Sequence, residues 1–281
     1  MNTSVVLITG GLTGIGRATA VAFAKEGVRV VVAGRRDAEG KALEAELRGL
    51  GTEASFIKAD VRHDDEVGDL VDQTLVRFGR LDAAVNTAGT EGKPGPVAEQ
   101  TAETYAATFD TNVLGTLLSM KHELRVMQPQ GSGSIINISS TYGHEGGAGA
   151  SIYVGSKHAV EGMTKSAALE AASSGVRINA VAPGPIETGM LNRFTGTAER
   201  KAALLKTVPL GRVGDPADIA RAAVFLASEK ASFITGHILT ATEARPPAEG
   251  NSRSRCIDRD CARESTPINI SSGRSSQWLM S

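Results

Sequence analysis

Tyr153 and Lys157 stand four residues apart in the run Tyr153-Val154-Gly155-Ser156-Lys157. On a helix, positions i and i+4 share a face, so the ammonium can lie beside the phenol. A free tyrosine, with a pKa near 10, is mostly idle at neutral pH. A neighbouring cation favours the phenolate and makes the hydroxyl a usable general acid or base. Ser140 lies thirteen residues upstream of Tyr153, closing the run Ser134-Ile135-Ile136-Asn137-Ile138-Ser139-Ser140. A Tyr and a Lys at this spacing also occur by chance, so their meaning depends on the elements that position them.

The first such element is at the N-terminus. Val5-Val6-Leu7-Ile8 is a short apolar run suited to a buried parallel strand. It leads into Thr9-Gly10-Gly11-Leu12-Thr13-Gly14-Ile15-Gly16, and a helical pattern runs from Arg17 through Glu26. Glycines at a strand-to-helix turn let the backbone approach a phosphate, and the helix N-terminus adds free N–H groups and partial positive charge. At the start of a βαβ unit, this arrangement predicts a dinucleotide site.

The rest of the chain continues the alternation. Strands are expected at Val28–Ala33, Ala54–Ala59, Leu81–Asn86, Ser134–Ser139, Val176–Val181 and His237–Thr240. Helices are expected at Asp37–Leu50, Asp64–Phe78, Thr101–Met127, Ser151–Ser174 and Pro216–Ser228. The fold class is therefore α/β: one domain over 1–240, with a doubly wound, parallel seven-stranded sheet covered by helices on both faces. Ligands of such sheets bind beyond the carboxyl ends of the strands, where Ser140 and the glycine turn both lie. The 281 residues carry a formal charge of −1 and are 41% hydrophobic, enough for one large core. That balance gives no electrostatic case for nucleic acid or an anionic membrane. With no ~20-residue apolar stretch and no basic-then-apolar leader, a cytoplasmic protein is expected.

Taken together, these motifs resemble the short-chain dehydrogenase/reductase family over about residues 3–240. Thr9-Gly10-x3-Gly14-Ile15-Gly16 is similar to the family's cofactor turn, and Asp60-Val61 to the pair that brackets the adenine. Asn86-Thr87-Ala88-Gly89 resembles its Asn-Asn-Ala-Gly motif, with Thr87 in place of the second Asn. Asn112, Ser140, Tyr153 and Lys157 match the active-site tetrad. Pro183-Gly184-Pro185-Ile186-Glu187-Thr188 resembles the segment around the nicotinamide, with Thr188 near its carboxamide.

The resemblance implies hydride transfer between a nicotinamide cofactor and a carbonyl or secondary alcohol. Ser140 would donate to the substrate oxygen, and Tyr153 would exchange a proton with it. Lys157 would lower the tyrosine's pKa and contact the nicotinamide ribose, and Asn112 would hold a water linking Lys157 to solvent, unless it is a structural residue that distorts its helix. Cofactor residues are expected at Gly10, Thr13, Gly14, Ile15 and Gly16, at Asp60, Val61, Asn86, Ala88 and Gly89, and at Pro183, Gly184, Ile186 and Thr188. NADP(H) is favoured over NAD(H). The second strand ends Ala33-Gly34-Arg35-Arg36, with Gly34 where NAD-type members usually carry Asp. Arg35 and Arg36 offer donor-rich cations to a 2′-phosphate. The resemblance also implies a homotetramer built on the helices at Thr101–Met127 and Ser151–Ser174.

Other readings stay open. His144 is expected either to line the substrate pocket or to occupy a surface loop, and Met190, Leu191 and Phe194 either to cover the substrate or to pack as an ordinary helix. The five histidines show no metal-ligand spacing, so no metal is expected. A 3-oxoacyl-carrier-protein reductase would share every motif, although the places aligned with its carrier-binding basic residues, around Gly131 and Ser174, are uncharged. A nucleotide sensor that keeps the fold without turnover is the alternative of another class. The family's closing Asp-Gly-Gly turn is absent. Ala241-Thr242-Glu243-Ala244 stands there, followed by Arg- and Ser-rich sequence that holds both cysteines, Cys256 and Cys261, and the sole Trp278. Residues 241–281 are expected to be a disordered extension with free thiols, of the kind a message read out of frame after Thr240 would encode.

Overall fold

The structure, a computed structural model, describes residues 4–206, 208 and 210–242. Seven short strands form one parallel sheet: β1 (Val5–Thr9), β2 (Arg29–Gly34), β3 (Ala54–Lys58), β4 (Ala83–Asn86), β5 (Gly133–Ile138), β6 (Val176–Pro183) and β7 (Ile238–Ala241). Their spatial order is β3-β2-β1-β4-β5-β6-β7, so the winding reverses between β1 and β4. Side chains alternate along each strand, which places successive residues on opposite faces. Val6, Ile8, Val30, Val32, Val85, Ile136 and Val181 belong to one buried cluster. Leu7, Val31, Ala84, Ile135 and Ile178 belong to the other.

The helices cover these two faces. Helices α1 (Gly14–Lys25), α2 (Asp37–Gly49) and α9 (Pro216–Ala227) bring Ala20, Phe23, Leu43, Leu47, Ile219 and Leu226 to the first cluster. Helices α3 (Asp64–Phe78), α5 (Gly115–Gln130) and α6 (Ser151–Ala171) bring Leu70, Val71, Met120, Met127 and Ala168 to the second. Their ends follow from local chemistry. Three acidic residues open α3 and Gly79, at φ 75°, closes it. Asp215 and Asp218 form a capping box around Pro216 at the start of α9.

The expected single helix from Thr101 to Met127 is instead interrupted. Helix α4 (Ala102–Phe109) passes through a π-turn, Asp110–Leu114, before α5 begins. Asn112 sits in that turn, and its side chain supplies a tertiary reason for the extra residue. Two short helices follow β6: α7 (Gly189–Thr195), where a helix carrying Met190, Leu191 and Phe194 is one of two open readings, and α8 (Ala198–Leu205), where no element is expected from the sequence pattern. The other elements have ends within three residues of expectation. Strand β7 runs one residue beyond Thr240; the proposed extension with Cys256, Cys261 and Trp278 lies outside the described residues.

Polar side chains join the strands' carboxyl ends beneath the site. Thr9 Oγ1 donates to Asn86 Oδ1 at 3.2 Å, and Asn86 Nδ2 donates to Asn137 Oδ1 at 3.0 Å and Glu123 Oε2 at 3.1 Å. Asn137 Nδ2 in turn donates to Thr164 Oγ1 at 2.9 Å. Glu123 is fully buried, its Oε1 has no hydrogen-bond partner, and burial pushes its carboxyl up to about 8. A carboxyl whose folded pKa is raised favours folding below its ordinary value of 4.5, and that contribution is lost as pH rises through about 8. Thermal melts should therefore show the native protein losing stability between pH 6 and pH 9, with a visibly flatter profile in Glu123→Gln. Identical slopes would show that Glu123 does not titrate in this range.

Candidate active site

A cleft of about 700 Å³ opens at the carboxyl ends of the strands, across the point where the sheet order reverses. One wall is the turn between β1 and α1, which contributes Gly10, Thr13, Gly14, Ile15 and Gly16. Gly10 has φ 64°, and a Cβ there would come within 2.6 Å of the Ala88 main chain. Both the conformation and the close approach require glycine. Thr13 caps α1 without a side-chain hydrogen bond, so the first N–H groups of this 12-residue helix face the cleft with no competing internal acceptor from their cap. That donor set fits a pyrophosphate. Ala88 and Gly89 line the opposite wall, and Thr87 donates its hydroxyl to the Thr9 carbonyl.

At the other end of this wall, Arg35, Arg36, Asp60 and Val61 line the cleft. Arg62, which the motifs did not single out, holds Asp60 through Nε at 3.0 Å and Nη2 at 2.6 Å. This guanidinium holds the Asp60 carboxyl down at about 2, against the effect of burial. Arg35 and Arg36 are more loosely held. Arg35 lies 3.7 Å from Asp60, Arg36 lies 3.3 Å from Glu39, and both side chains are more than half exposed.

Ser140, Tyr153 and Lys157 meet in the middle of the cleft. Strand β5 ends just before Ser140, whose Oγ accepts from the Tyr142 N–H at 3.2 Å at the start of a tight 3₁₀ turn, Thr141–Gly143. The first turn of α6 presents Tyr153, and its second presents Lys157. Lys157 Nζ donates to the Ile138 carbonyl at 2.8 Å and lies 5.7 Å from the centre of the Tyr153 ring. The pKa values depart from the sequence expectation. Burial pushes the Tyr153 phenol up to about 12, with a Ser140 hydrogen bond acting in the opposite direction. Burial likewise brings Lys157 down to about 8, partly offset by the charge of Glu161. Desolvation favours the neutral form of each group and is the largest cause for both.

The third side of the cleft comes from the segment after β6. Pro183, Gly184, Ile186 and Thr188 line it, and Thr188 caps α7 by accepting the Leu191 N–H at 3.3 Å. Met190 and Phe194 extend from α7 into the cleft wall. Tyr142 packs edge-on to Tyr153 and tilted against Phe194, each with ring centres 6.2 Å apart. Arg193 on α7 grips Glu91 across the cleft, with Nε to Oε1 at 2.5 Å and Nη2 to Oε2 at 3.1 Å.

Three expected site residues do not line the cleft. Asn86 is buried in the polar network below and ties β1, β4 and β5 together, so it supports the cofactor wall without facing it. His144 turns away from the pocket, and its Nδ1 lies 3.1 Å from Glu161 Oε1. Asn112 is fully buried behind Lys157. Its Nδ2 donates to the Thr90 carbonyl at 2.9 Å and to Ser156 Oγ at 3.0 Å, and its Oδ1 accepts the Thr90 N–H at 2.8 Å. Both amide hydrogens and one lone pair of Oδ1 are thus engaged within the protein. Among the residues that the motifs missed, Glu91 stands two positions after Gly89, and Ser156 directly precedes Lys157. Their closeness to quoted motifs was the available signal.

Comparison with known proteins gives this geometry a setting. A family model described as enoyl-(acyl carrier protein) reductase matches residues 10–242. The chain is 39% identical over 238 residues to a 2,5-dichloro-2,5-cyclohexadiene-1,4-diol dehydrogenase of Sphingobium indicum, covering 84% of this chain and 94% of that one. Among solved structures, NAD⁺-bound xylitol dehydrogenase superposes with a TM-score of 0.83 at 31% identity, covering 86% of this chain and 99% of the other. ElxO with NADP bound superposes with a TM-score of 0.79 at 36% identity, covering 85% and 97%.

The bonds of Asn112 make a direct prediction. Replacement by Ala leaves the Thr90 N–H and C=O and the Ser156 hydroxyl without this partner, at a cost of roughly 1–3 kcal/mol for each group left unsatisfied. Asn112→Ala should therefore melt several degrees below the native protein. An unchanged melting temperature would mean that the π-turn does not depend on this amide.

Proposed function

The chain belongs to the short-chain dehydrogenase/reductase family, and we propose that Ser140, Tyr153 and Lys157 are the groups through which its cleft exchanges hydride and proton with a small alcohol or ketone. The chain is an NAD(P)-dependent oxidoreductase that acts on CH–OH and C=O groups. The observation that carries the residue assignment is the meeting of one phenol, one ammonium and one hydroxyl in a cleft walled by a phosphate-sized glycine turn. When bound, the nicotinamide supplies or accepts the hydride. The turn Gly10–Gly16 and the start of α1 would hold its pyrophosphate. Ser140 would donate to the substrate oxygen as charge develops there. Tyr153, kept neutral by burial, is ready to give its proton to that oxygen during reduction. Lys157 stabilises the phenolate left behind. Asn112 would serve this centre by holding the Thr90 backbone and Ser156, and hence the start of α6.

NADP(H) is the favoured cofactor in this reading. Arg35 and Arg36 are exposed and weakly paired, free to turn toward a 2′-phosphate. Gly34 packs under Leu12, so a Cβ there would meet its Cδ1 at 2.7 Å. An aspartate that accepts the ribose hydroxyls of NAD would have to displace that leucine.

For the substrate, the cleft offers the aromatic faces of Tyr142 and Phe194, the apolar Met190, and one charged pair, Glu91 with Arg193. This mixture supports a compact alcohol with an apolar body and a further polar group, in keeping with the cyclic diol and the polyol that its relatives' names record. A carrier-protein thioester remains the second reading. Gly131 and Ser174 lie at the amino ends of β5 and β6, away from the cleft, so their lack of charge carries no weight against it. A homotetramer belongs to the proposal as well: Tyr105, Leu114 and Leu117 along α4–α5 and Leu169 on α6 expose apolar surface on the helices expected to pair. So does a cytoplasmic location; no described helix is long and apolar enough to cross a membrane.

Two measurements test the assignment. Tyr153→Phe should lower ketone reduction by about 10²–10⁴-fold, the usual worth of a positioned general acid, with NADPH binding retained. Near-native turnover would remove Tyr153 from the chemistry. Replacing Arg35 and Arg36 by Ser should weaken NADPH binding by roughly 10- to 100-fold, the worth of a charge-assisted hydrogen bond, and leave NADH far less affected. Equal losses for both cofactors would place the 2′-phosphate elsewhere.

A further inference from the structure

Glu161 is a buried carboxylate that the mechanism above does not use. It stands four residues beyond Lys157 on α6, on the same helical face. Its Oε1 accepts from Ser139 Oγ at 2.9 Å and lies 3.1 Å from His144 Nδ1. A carboxylate cannot donate, so the imidazole N–H donates here. Ser139 and His144 bracket the segment that carries Ser140 and its 3₁₀ turn. Gly143 lies directly over the carboxylate, and any Cβ there would collide with Oε1. One oxygen therefore holds both ends of the Ser140 loop, and the lack of a side chain at Gly143 lets the loop close down on it.

The same residue has an electrostatic consequence. Lys157 is desolvated, which works against its ammonium form, and the negative charge of Glu161 offsets part of that penalty. The groups facing this region are few. Lys157 meets the Ile138 carbonyl, Tyr153 and Glu161; Tyr153 meets Ser140, Tyr142 and the charge of Glu91; Glu161 meets Ser139 and His144.

We propose that Glu161 is a positioning residue for the reaction: it fixes the loop that presents Ser140 and places a fixed negative charge one helical turn from Lys157. The proposal rests on the assignment of Ser140, Tyr153 and Lys157 given above. Its two parts separate under substitution. Glu161→Ala removes the acceptor and the charge together. Glu161→Gln keeps an acceptor for Ser139 and His144 and removes only the charge.

The test is NADPH-dependent reduction of a small cyclic ketone, with cyclohexanone as probe, recorded as kcat and KM across pH alongside thermal melts. Glu161→Ala should lose about tenfold or more in kcat, the worth of one or two hydrogen bonds, with a smaller change in the KM for NADPH. Glu161→Gln should recover most of that kcat. Its alkaline limb should nevertheless move to lower pH, because Lys157 loses the charge that helps it keep its proton. A merely structural staple would lower the melting temperature and leave the alkaline limb in place; that limb, unmoved in Glu161→Gln, overturns the charge role. Native kcat in Glu161→Ala, or a loss that Gln does not restore, overturns the loop role. If Glu161→Ala does not fold, Glu161→Gln decides alone, and native kcat with a native alkaline limb sinks the proposal. A native protein that turns over no ketone or alcohol with either cofactor instead overturns the parent assignment, and this one with it.

Discussion

Parallel strands that stop in mid-protein leave their carboxyl ends to be held by something other than the ladder, and Asn86 does most of that holding. Its amide and carbonyl reach Thr9 on β1, Asn137 on β5 and Glu123 on α5. Asn137 continues the chain of bonds to Thr164 on α6, the helix that carries Tyr153 and Lys157. The glycine turn, the Ser140 strand and the Tyr–Lys helix are thereby registered against one another by side chains that do not line the cleft. A buried polar network of this kind is costly if any member is unsatisfied, and Glu123 avoids the cost of a buried charge by favouring its protonated form.

The groups proposed to react obey a related constraint. Desolvation drives phenol and amine toward neutrality, so the buried pair stores a proton on Tyr153 in preference to a charge. Such a centre holds its proton but is a weaker acid for it. In the opposite direction it needs an ammonium close by, and Glu161 with the Ile138 carbonyl supplies the environment in which Lys157 can remain one. The balance is set by three elements, β5, the Ser140 loop and α6, rather than by the Tyr-to-Lys spacing alone.

Much of this was legible in the sequence, and the reasons for the exceptions are physical. Strands rich in Val and Ile, bounded by turns, show themselves through composition, so all seven were placed within a few residues. The glycine turn and the Ser–Tyr–Lys set could be read because each combines an unusual residue with a fixed element. The π-turn does not show in periodicity; only the residue type of Asn112 hints at a distorted helix, and its bonds reach Thr90, 22 residues away in the chain. Helices α7 and α8 are short, and the small residues around Gly189 and Gly196 mask their period. His144, between Ser140 and Tyr153, is open to either a pocket or a surface-loop place, and its exposed side chain fits the second. The buried Glu161 partner shows where it points. The sign of the Tyr153 shift was missed because proximity in sequence reveals a cation but not the depth of burial.

The contact between Gly10 and Ala88 bears on the order in which the molecule becomes itself. The phosphate turn is made by the first strand and helix, yet its far wall is a loop some 80 positions later, joined to it by the Thr87 N–H bonded to the Thr9 carbonyl at 3.1 Å. As the chain leaves the ribosome, the turn exists before its wall does. β1 must wait for two intervening strands to fold away to one side before β4 can dock on its other edge. Nucleotide affinity is therefore a late property of assembly, conferred when the middle of the sheet closes. A cofactor held there would bridge the two halves of the winding.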